Sequence, residues 1–175
     1  MEGMTSKASV ATRVQIHAID SAVLSQLRER DDTGNQPRLL TDSEGGNPLR
    51  CCLRRSHPGE QVALVSYAPL RRWARRTGAD PGPYEELGPV FIHPSPCDGP
   101  AQGGFPPDYL GKHWVLRAYL ADGRILGGQL VEASDVSDAA AVEEILARLL
   151  DDPDVAIVHV RAVEFGCFQF EVSRG

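Results

Sequence analysis

Apolar and polar positions alternate most regularly near the C-terminus, in residues 155–163 and 167–172. Val158, Val160 and Ala162 share one side of the first segment, and His159 and Arg161 take the other; in the second, Phe168, Phe170 and Val172 oppose Cys167, Gln169 and Glu171. A period of two with one apolar side predicts a pair of half-buried strands. Glu164-Phe165-Gly166 suits a three-residue hairpin loop with the glycine left-handed, a register that sets Arg161 opposite Gln169 and His159 opposite Glu171. A second hairpin is predicted over 113–120 and 124–132, turned at Asp122-Gly123 as a two-residue type I′ turn, which places Arg117 opposite Gly128.

Further strands are predicted over 13–19, 61–67 and 89–93, the last bracketed by proline and ending in His93. The pattern changes to a helical period in 138–150, where Val142, Ile145, Leu146 and Leu149 form a stripe and Ser137 or Asp138 is the N-cap. A short helix follows Asp20, with Val23, Leu24 and Leu27 on one side. Residues 31–48 read as a long loop or a poorly paired edge strand around Arg38-Leu39-Leu40, and 69–83 as irregular with one helical turn near Trp73. From Pro94 to Lys112 there are five prolines and four glycines, too many for helix or strand, so a long loop leads away from His93.

The order of elements predicts a single α+β domain over 12–175, with residues 1–11 as a disordered N-terminus. Its antiparallel-rich sheet carries the long 138–150 helix on one face, over Val158, Phe168, Leu116 and Val90, and the short N-terminal helix stands to one side. At 175 residues and 42% hydrophobic composition one substantial core is expected. The net charge of −6 argues against nucleic acid or an anionic membrane as partner. With no long apolar run and no secretion signal in the first residues, a cytoplasmic location is expected. Four cysteines in a chain this long read as free thiols rather than a disulfide framework, and the preference for arginine over lysine matches the coding bias of a GC-rich bacterial source.

If both hairpins and the Val90 strand form one sheet, its polar face gathers His93, Arg117, Tyr119, His159, Arg161, Cys167, Gln169 and Glu171, with the 94–112 loop as a partial lid. Arg117 and Arg161 are candidates to hold a small anionic metabolite, because guanidinium groups offer paired donors to a carboxylate or phosphate; Tyr119, His93 and Gln169 are candidate binding residues beside them. His159 backed by Glu171 is the candidate proton-transfer group, and Cys97 or Cys167 the candidate nucleophile. The competing readings are a wet sheet face without chemistry, a non-catalytic protein-interaction module, and a small metal-binding protein using His93, Cys97 and Cys167. Cys51, Cys52 and His57 add soft or borderline donors, yet no CxxC or CxxH pair is present. No phosphate-loop or other cofactor motif appears, so no cofactor is assigned.

The run Leu49-Arg-Cys-Cys-Leu-Arg54, with His57-Pro-Gly-Glu60, Gly88-Pro-Val-Phe-Ile-His93, Cys97, His159-Val-Arg161 and Gly166-Cys-Phe168, resembles an uncharacterised bacterial family, a domain of unknown function found as stand-alone proteins. The resemblance extends from about Ile16 onward. It marks Cys52, His93, Cys97, His159, Arg161 and Cys167 as family positions and implies no activity. The family pattern has a cysteine where this chain has Leu49, and the broken Cys-Arg-x-Cys counts against a zinc or redox role for Cys51 and Cys52.

Overall fold

The computed structural model describes residues 12–175, so the reading of residues 1–11 as disordered lies outside the described residues. Five strands, β1 (Val14–His17), β7 (Trp114–Tyr119), β8 (Ile125–Val131), β9 (Ile157–Ala162) and β10 (Phe168–Arg174), form an antiparallel sheet in the order β1-β10-β9-β7-β8. The others, β2 (Arg38–Asp42), β3 (Pro48–Leu49), β4 (Arg54–Arg55), β5 (Glu60–Tyr67) and β6 (Gly88–Ile92), form a second sheet in the order β2-β5-β6-β3-β4. The expectation of one sheet is therefore corrected. Alternation assigns faces but not neighbours, and the Val90 strand pairs with β5, Val65 opposite Val90, rather than with either hairpin. The fold is α+β, and no helix among the described residues is long and apolar enough to cross a membrane.

Helix α3 (Ala139–Leu150) starts where Asp138 accepts a 2.9 Å bond from the Ala141 N–H, and it buries Val142, Leu146 and Leu150. These side chains meet Leu116, Val158, Val160, Phe170 and Val172 of the first sheet, and each contributes about 1.5–3 kcal/mol by leaving water. Helix α1 (Ser21–Glu29) is capped by Asp20 and buries Leu24 and Leu27. Helix α2 (Pro69–Thr77) replaces the single turn expected around Trp73. Pro69 sits at its first position, Gly78 closes it at φ 77°, and Leu70, Trp73 and Ala74 pack on Tyr119 and Ile157.

Both hairpins depart from the simplest register by one residue. In β10 the pairs are Phe168 with Arg161 and Phe170 with Val160, so Gln169 is the extra residue of a bulge. His159 does lie opposite Glu171, but Arg161 faces Phe168, not Gln169. The bulge also sends Phe168 to the face opposite Phe170, away from α3, where it packs on Tyr67; Val90 likewise belongs to that second core. In the β7–β8 hairpin the turn is one residue longer than a type I′ turn, with the Leu120 N–H bonded to the Arg124 carbonyl and Gly123 at φ 90°. A bulge between Ala118 and Tyr119 pairs removes the offset, so Arg117 still stands opposite Gly128.

The 94–112 loop does not lid the polar face. Phe105 and Tyr109 insert on the α3 side, both within 6 Å of the Phe170 ring by their centroids (5.7 and 5.5 Å), and the Phe105 N–H is held by Glu143 of α3. Two aromatic side chains buried in the core outweigh any tendency of this glycine-rich segment to stand over the opposite face.

Candidate functional site

Strand β3 runs parallel to β6 at a single pair, Leu49 with Phe91, and the Arg50 N–H bonds the Phe91 carbonyl at 2.9 Å. The chain then turns sharply through residues 50–53, closed by a 2.9 Å bond from the Leu53 N–H to the Leu49 carbonyl, before returning as β4. Leu53 lies at φ 55°, a left-handed conformation unfavourable by about 1–2 kcal/mol for a side chain of this kind. The turn sets the thiols of Cys51 and Cys52 beside His93, which lies just beyond the end of β6. Cys51 Sγ is 3.2 Å and Cys52 Sγ 3.8 Å from His93 Nδ1, and the two sulfurs are 4.0 Å apart. With Cys97 from the following loop, four donor atoms lie within 4.8 Å of one another.

The far side of the imidazole is fixed by Glu60 of β5. Its Oε1 is 2.9 Å from His93 Nε2, while Arg54 grips the same carboxylate at 2.5 and 2.9 Å and the His57 N–H adds a 2.8 Å bond. These donors, the Arg54 guanidinium first, hold the Glu60 carboxyl well below the usual carboxylate range. Arg54 Nη2 also lies 2.9 Å from Nε2, and in the tautomer whose Nε2–H donates to Glu60 the Nδ1 lone pair faces the sulfurs. His93 is further held by its own N–H on Cys51 Sγ at 3.3 Å and by Arg28, which donates to its carbonyl at 3.0 Å. Of the two thiols, Cys52 is the more acidic: Cys51 donates to its sulfur, the Arg54 N–H is directed at it, and His93 and Arg54 lie near. The same contact and burial push Cys51 up.

The sequence groups His93, Cys97 and Cys167 as candidate ligands, and the structure brings together only the first two. Cys167 lies elsewhere, its Sγ 3.6 Å from the Phe165 carbonyl, and His57 supplies only its backbone N–H to the centre. The Cys51-Cys52 pair is visible in the sequence as two soft donors, but without CxxC spacing nothing there shows that the turn brings both to His93. Leu49 is a fully buried core residue, and Cys51 provides the second thiol instead.

His159 and Arg161, with Arg117 and Tyr119 of β7, gather on the face of the first sheet away from α3. His159 is completely buried between the rings of Tyr119 and Phe168, with centroids at 4.7 and 5.0 Å. Its Nε2 is 3.5 Å from Glu171, too long for a strong hydrogen bond, and neither ring nitrogen has a partner among the described residues. Burial outweighs the attraction of Glu171 and Glu86 and, helped by Arg161, lowers its pKa from 6.5. Arg117, its register partner on β7, adds a further positive charge on this face. Above an unfolded pKa of about 6.5, His159 is neutral in both states and adds no pH dependence; below it, the unfolded chain binds a proton that the folded chain refuses. Stability is thus lost as pH falls from about 6.5 towards the depressed folded value, with a slope of up to about 1.4 kcal/mol per pH unit. Denaturant unfolding at about pH 7 and pH 5 checks this: His159→Leu is expected to lose less stability on acidification than the parent, and equal losses would contradict a neutral buried imidazole.

Glu86, on the segment before β6, spans both arginines, with Oε1 2.6 Å from Arg117 Nη1 and Oε2 2.9 Å from Arg161 Nη1. Glu171 is also paired outward, with Arg76 of α2 at 3.4 Å. Helix α2 covers Tyr119 and His159 is fully buried, while Arg117, Arg161 and Glu86 stay half-buried, so this polar surface is partly covered. Gln169 is nearly fully buried, and Cys97 is exposed.

No curated protein and no solved structure matches the chain. A family model described as a protein of unknown function (DUF1203) matches residues 46–174, most of the chain and all four candidate ligands, and the chain belongs to that family.

Proposed function

We propose that this protein binds a soft or borderline divalent ion, zinc by chemistry, through Cys51, Cys52, His93 and Cys97, with Glu60 orienting His93. The observation that carries this reading is the convergence of three sulfurs and one imidazole nitrogen within 4.8 Å from two chain segments far apart in the sequence, 51–52 and 93–97. A tetrahedral zinc with bonds of about 2.3 Å to sulfur and 2.0 Å to nitrogen needs edges of roughly 3.8 Å between sulfurs and 3.5 Å between sulfur and nitrogen. The separations of 4.0, 3.2 and 3.8 Å among Cys51, Cys52 and His93 lie close to those edges, and the exposed loop residue Cys97 has the freedom to close the fourth corner. Three thiolates and an imidazole favour zinc over magnesium or calcium, which prefer oxygen. Four protein ligands make a closed site, so its role is to tie the start of the 94–112 loop to the β3–β4 turn.

The test is zinc titration with a competing chelator, together with metal analysis of the purified protein. One ion per chain is expected. Glu60→Gln, which keeps the shape but weakens the hold on Nε2, should lower affinity by about 10–100-fold. Absence of tight zinc binding, or an affinity unchanged by both Cys52→Ser and Glu60→Gln, would overturn the assignment. An anionic metabolite at Arg117 and Arg161 is the second reading, favoured by the fact that the pair already accepts a carboxylate. It ranks lower because an incoming anion has to displace Glu86 from both arginines.

A further inference from the structure

A separate cavity of about 620 Å³ opens between the two sheets on the other side of the β3–β4 turn, within the size range of small-molecule sites. Its walls are mainly apolar, with Leu64, Phe91, Trp114 and Phe165 prominent. Two buried polar side chains break this lining. Arg50 is 2% exposed; its Nε donates to the Phe168 carbonyl at 2.8 Å and its Nη1 to the Pro48 carbonyl, leaving Nη2 without a protein partner among the described residues. Gln169, the bulge residue of β10, is also 2% exposed, and its Oε1 has no hydrogen-bond donor among the described residues.

The charge around this cavity runs against that of the chain. Arg50, Arg55 and Lys112 line it against one acid, Glu164, in a protein of net charge −6. Among the described residues no carboxylate forms an ion pair with Arg50 or Arg55, although Arg54, Arg71, Arg72, Arg117 and Arg161 are all paired. Asp108 is the nearest acid: its carboxylate accepts from the Arg55 backbone N–H at 2.8 Å, while the Arg55 guanidinium donates to the carbonyls of Asp108 (Nε, 3.2 Å) and Gly46 (Nη1, 2.7 Å). A buried guanidinium without a counter-ion and a buried carbonyl oxygen without a donor are both unfavourable unless water or a ligand satisfies them.

We propose that this cavity binds a hydrophobic monocarboxylate bearing a hydrogen-bond donor beside its carboxylate, as in a 2-hydroxy acid with an aromatic or branched side chain. The carboxylate meets Arg50 and Arg55, the hydroxyl donates to Gln169 Oε1, and the apolar tail lies against Trp114, Phe91 and Phe165. The site is independent of the proposed metal centre. Arg50 and Cys51 are consecutive, and the same turn presents a guanidinium to the cavity and a thiol to the cluster.

Calorimetric titration with three probes tests the assignment: 2-hydroxy-3-phenylpropanoate, 3-phenylpropanoate, which lacks the donor, and the amide of the hydroxy acid, which lacks the charge. The hydroxy acid should bind tightest, by about 10-fold or more over either analogue, since a missing hydrogen-bonded or charged partner is worth that much. Gln169→Leu removes an unsatisfied group, so the variant should fold; it should abolish the preference for the hydroxy acid over 3-phenylpropanoate while leaving the latter's affinity unchanged. Arg55→Gln should weaken both acids and not the amide. Bound hydroxy acid should also protect Cys167, which lines the cavity, from alkylation. No binding by any probe, equal binding of acid and amide, or a preference that survives Gln169→Leu would overturn the proposal. These outcomes are read without zinc and leave the metal reading untouched.

Discussion

Phe170→Ala is expected to destabilise the protein by about 3–5 kcal/mol, the cost of deleting a fully buried aromatic side chain from a packed core. Phe170 has no solvent exposure and stands at the centre of the α3 side of the first sheet, against Phe105 and Tyr109, while Tyr109 stacks on Trp114 at 5.3 Å. For a domain of this size the loss corresponds to a fall in Tm of roughly 6–20 °C. Total stabilities run near 5–15 kcal/mol, so the variant remains foldable but marginal. The damage should also be local. Phe105 and Tyr109 hold the 94–112 loop to the core, and hydrogen exchange in that loop should rise more than in β5 or β6, which belong to the other core. Phe165→Ala is the control, because Phe165 is 84% exposed and its removal should change stability by no more than about 0.5 kcal/mol. A cost below about 1 kcal/mol at Phe170 would mean that the loop and α3 do not share the core described.

What could be read from the sequence follows the reach of each signal. The stripe and cap of α3, the pairing of His159 with Glu171 and that of Arg117 with Gly128 depend on residues close in the chain, where periodicity and turn chemistry act directly. Arg117 keeps its expected partner despite the longer turn, because the extra loop residue and a bulge offset each other. Gln169 shows the limit of alternation. One extra residue in β10 moved Phe168 to the other face, and nothing in the apolar pattern marks it. The polar face is legible as a set of residues but not as a partly covered, ion-paired layer, since α2 and Glu86, which cover and neutralise it, approach from distant segments. The same is true of the cysteine cluster. Cys51 and His93 are 42 positions apart and meet only because β3 lies parallel to β6, a contact of a single residue pair.

Zinc is expected to raise stability by about 4 kcal/mol when free ion exceeds its Kd by about 1,000-fold, because a ligand that binds only the folded chain adds RT ln(1 + [L]/Kd). That increment is a rise in Tm of roughly 8–16 °C. Any binding of zinc to the thiols of the unfolded chain reduces it, so the figure is an upper value. The ligands come from the β3–β4 turn, the end of β6 and the 94–112 loop, and an ion holding all three replaces weak thiol and imidazole contacts with coordinate bonds. It also opposes the strain at Leu53, since the left-handed turn that is unfavourable in the free chain is the one that aims both thiols at His93. The measurement is thermal or denaturant unfolding with zinc and with excess chelator, on the parent and on a Cys52→Ser, Cys97→Ser double variant. The parent should show the increment and the variant almost none, while the two are similar in chelator because Cys97 is exposed and serine preserves the shape of Cys52. Zinc should also protect amides of residues 49–54 and 93–98 from exchange more than those of α3, which touches none of the ligands. If zinc stabilises parent and double variant equally, the ion is bound elsewhere and the cluster is three free thiols and one imidazole without a metal; if only the parent responds, the turn, the strand end and the loop are one metal-tied unit.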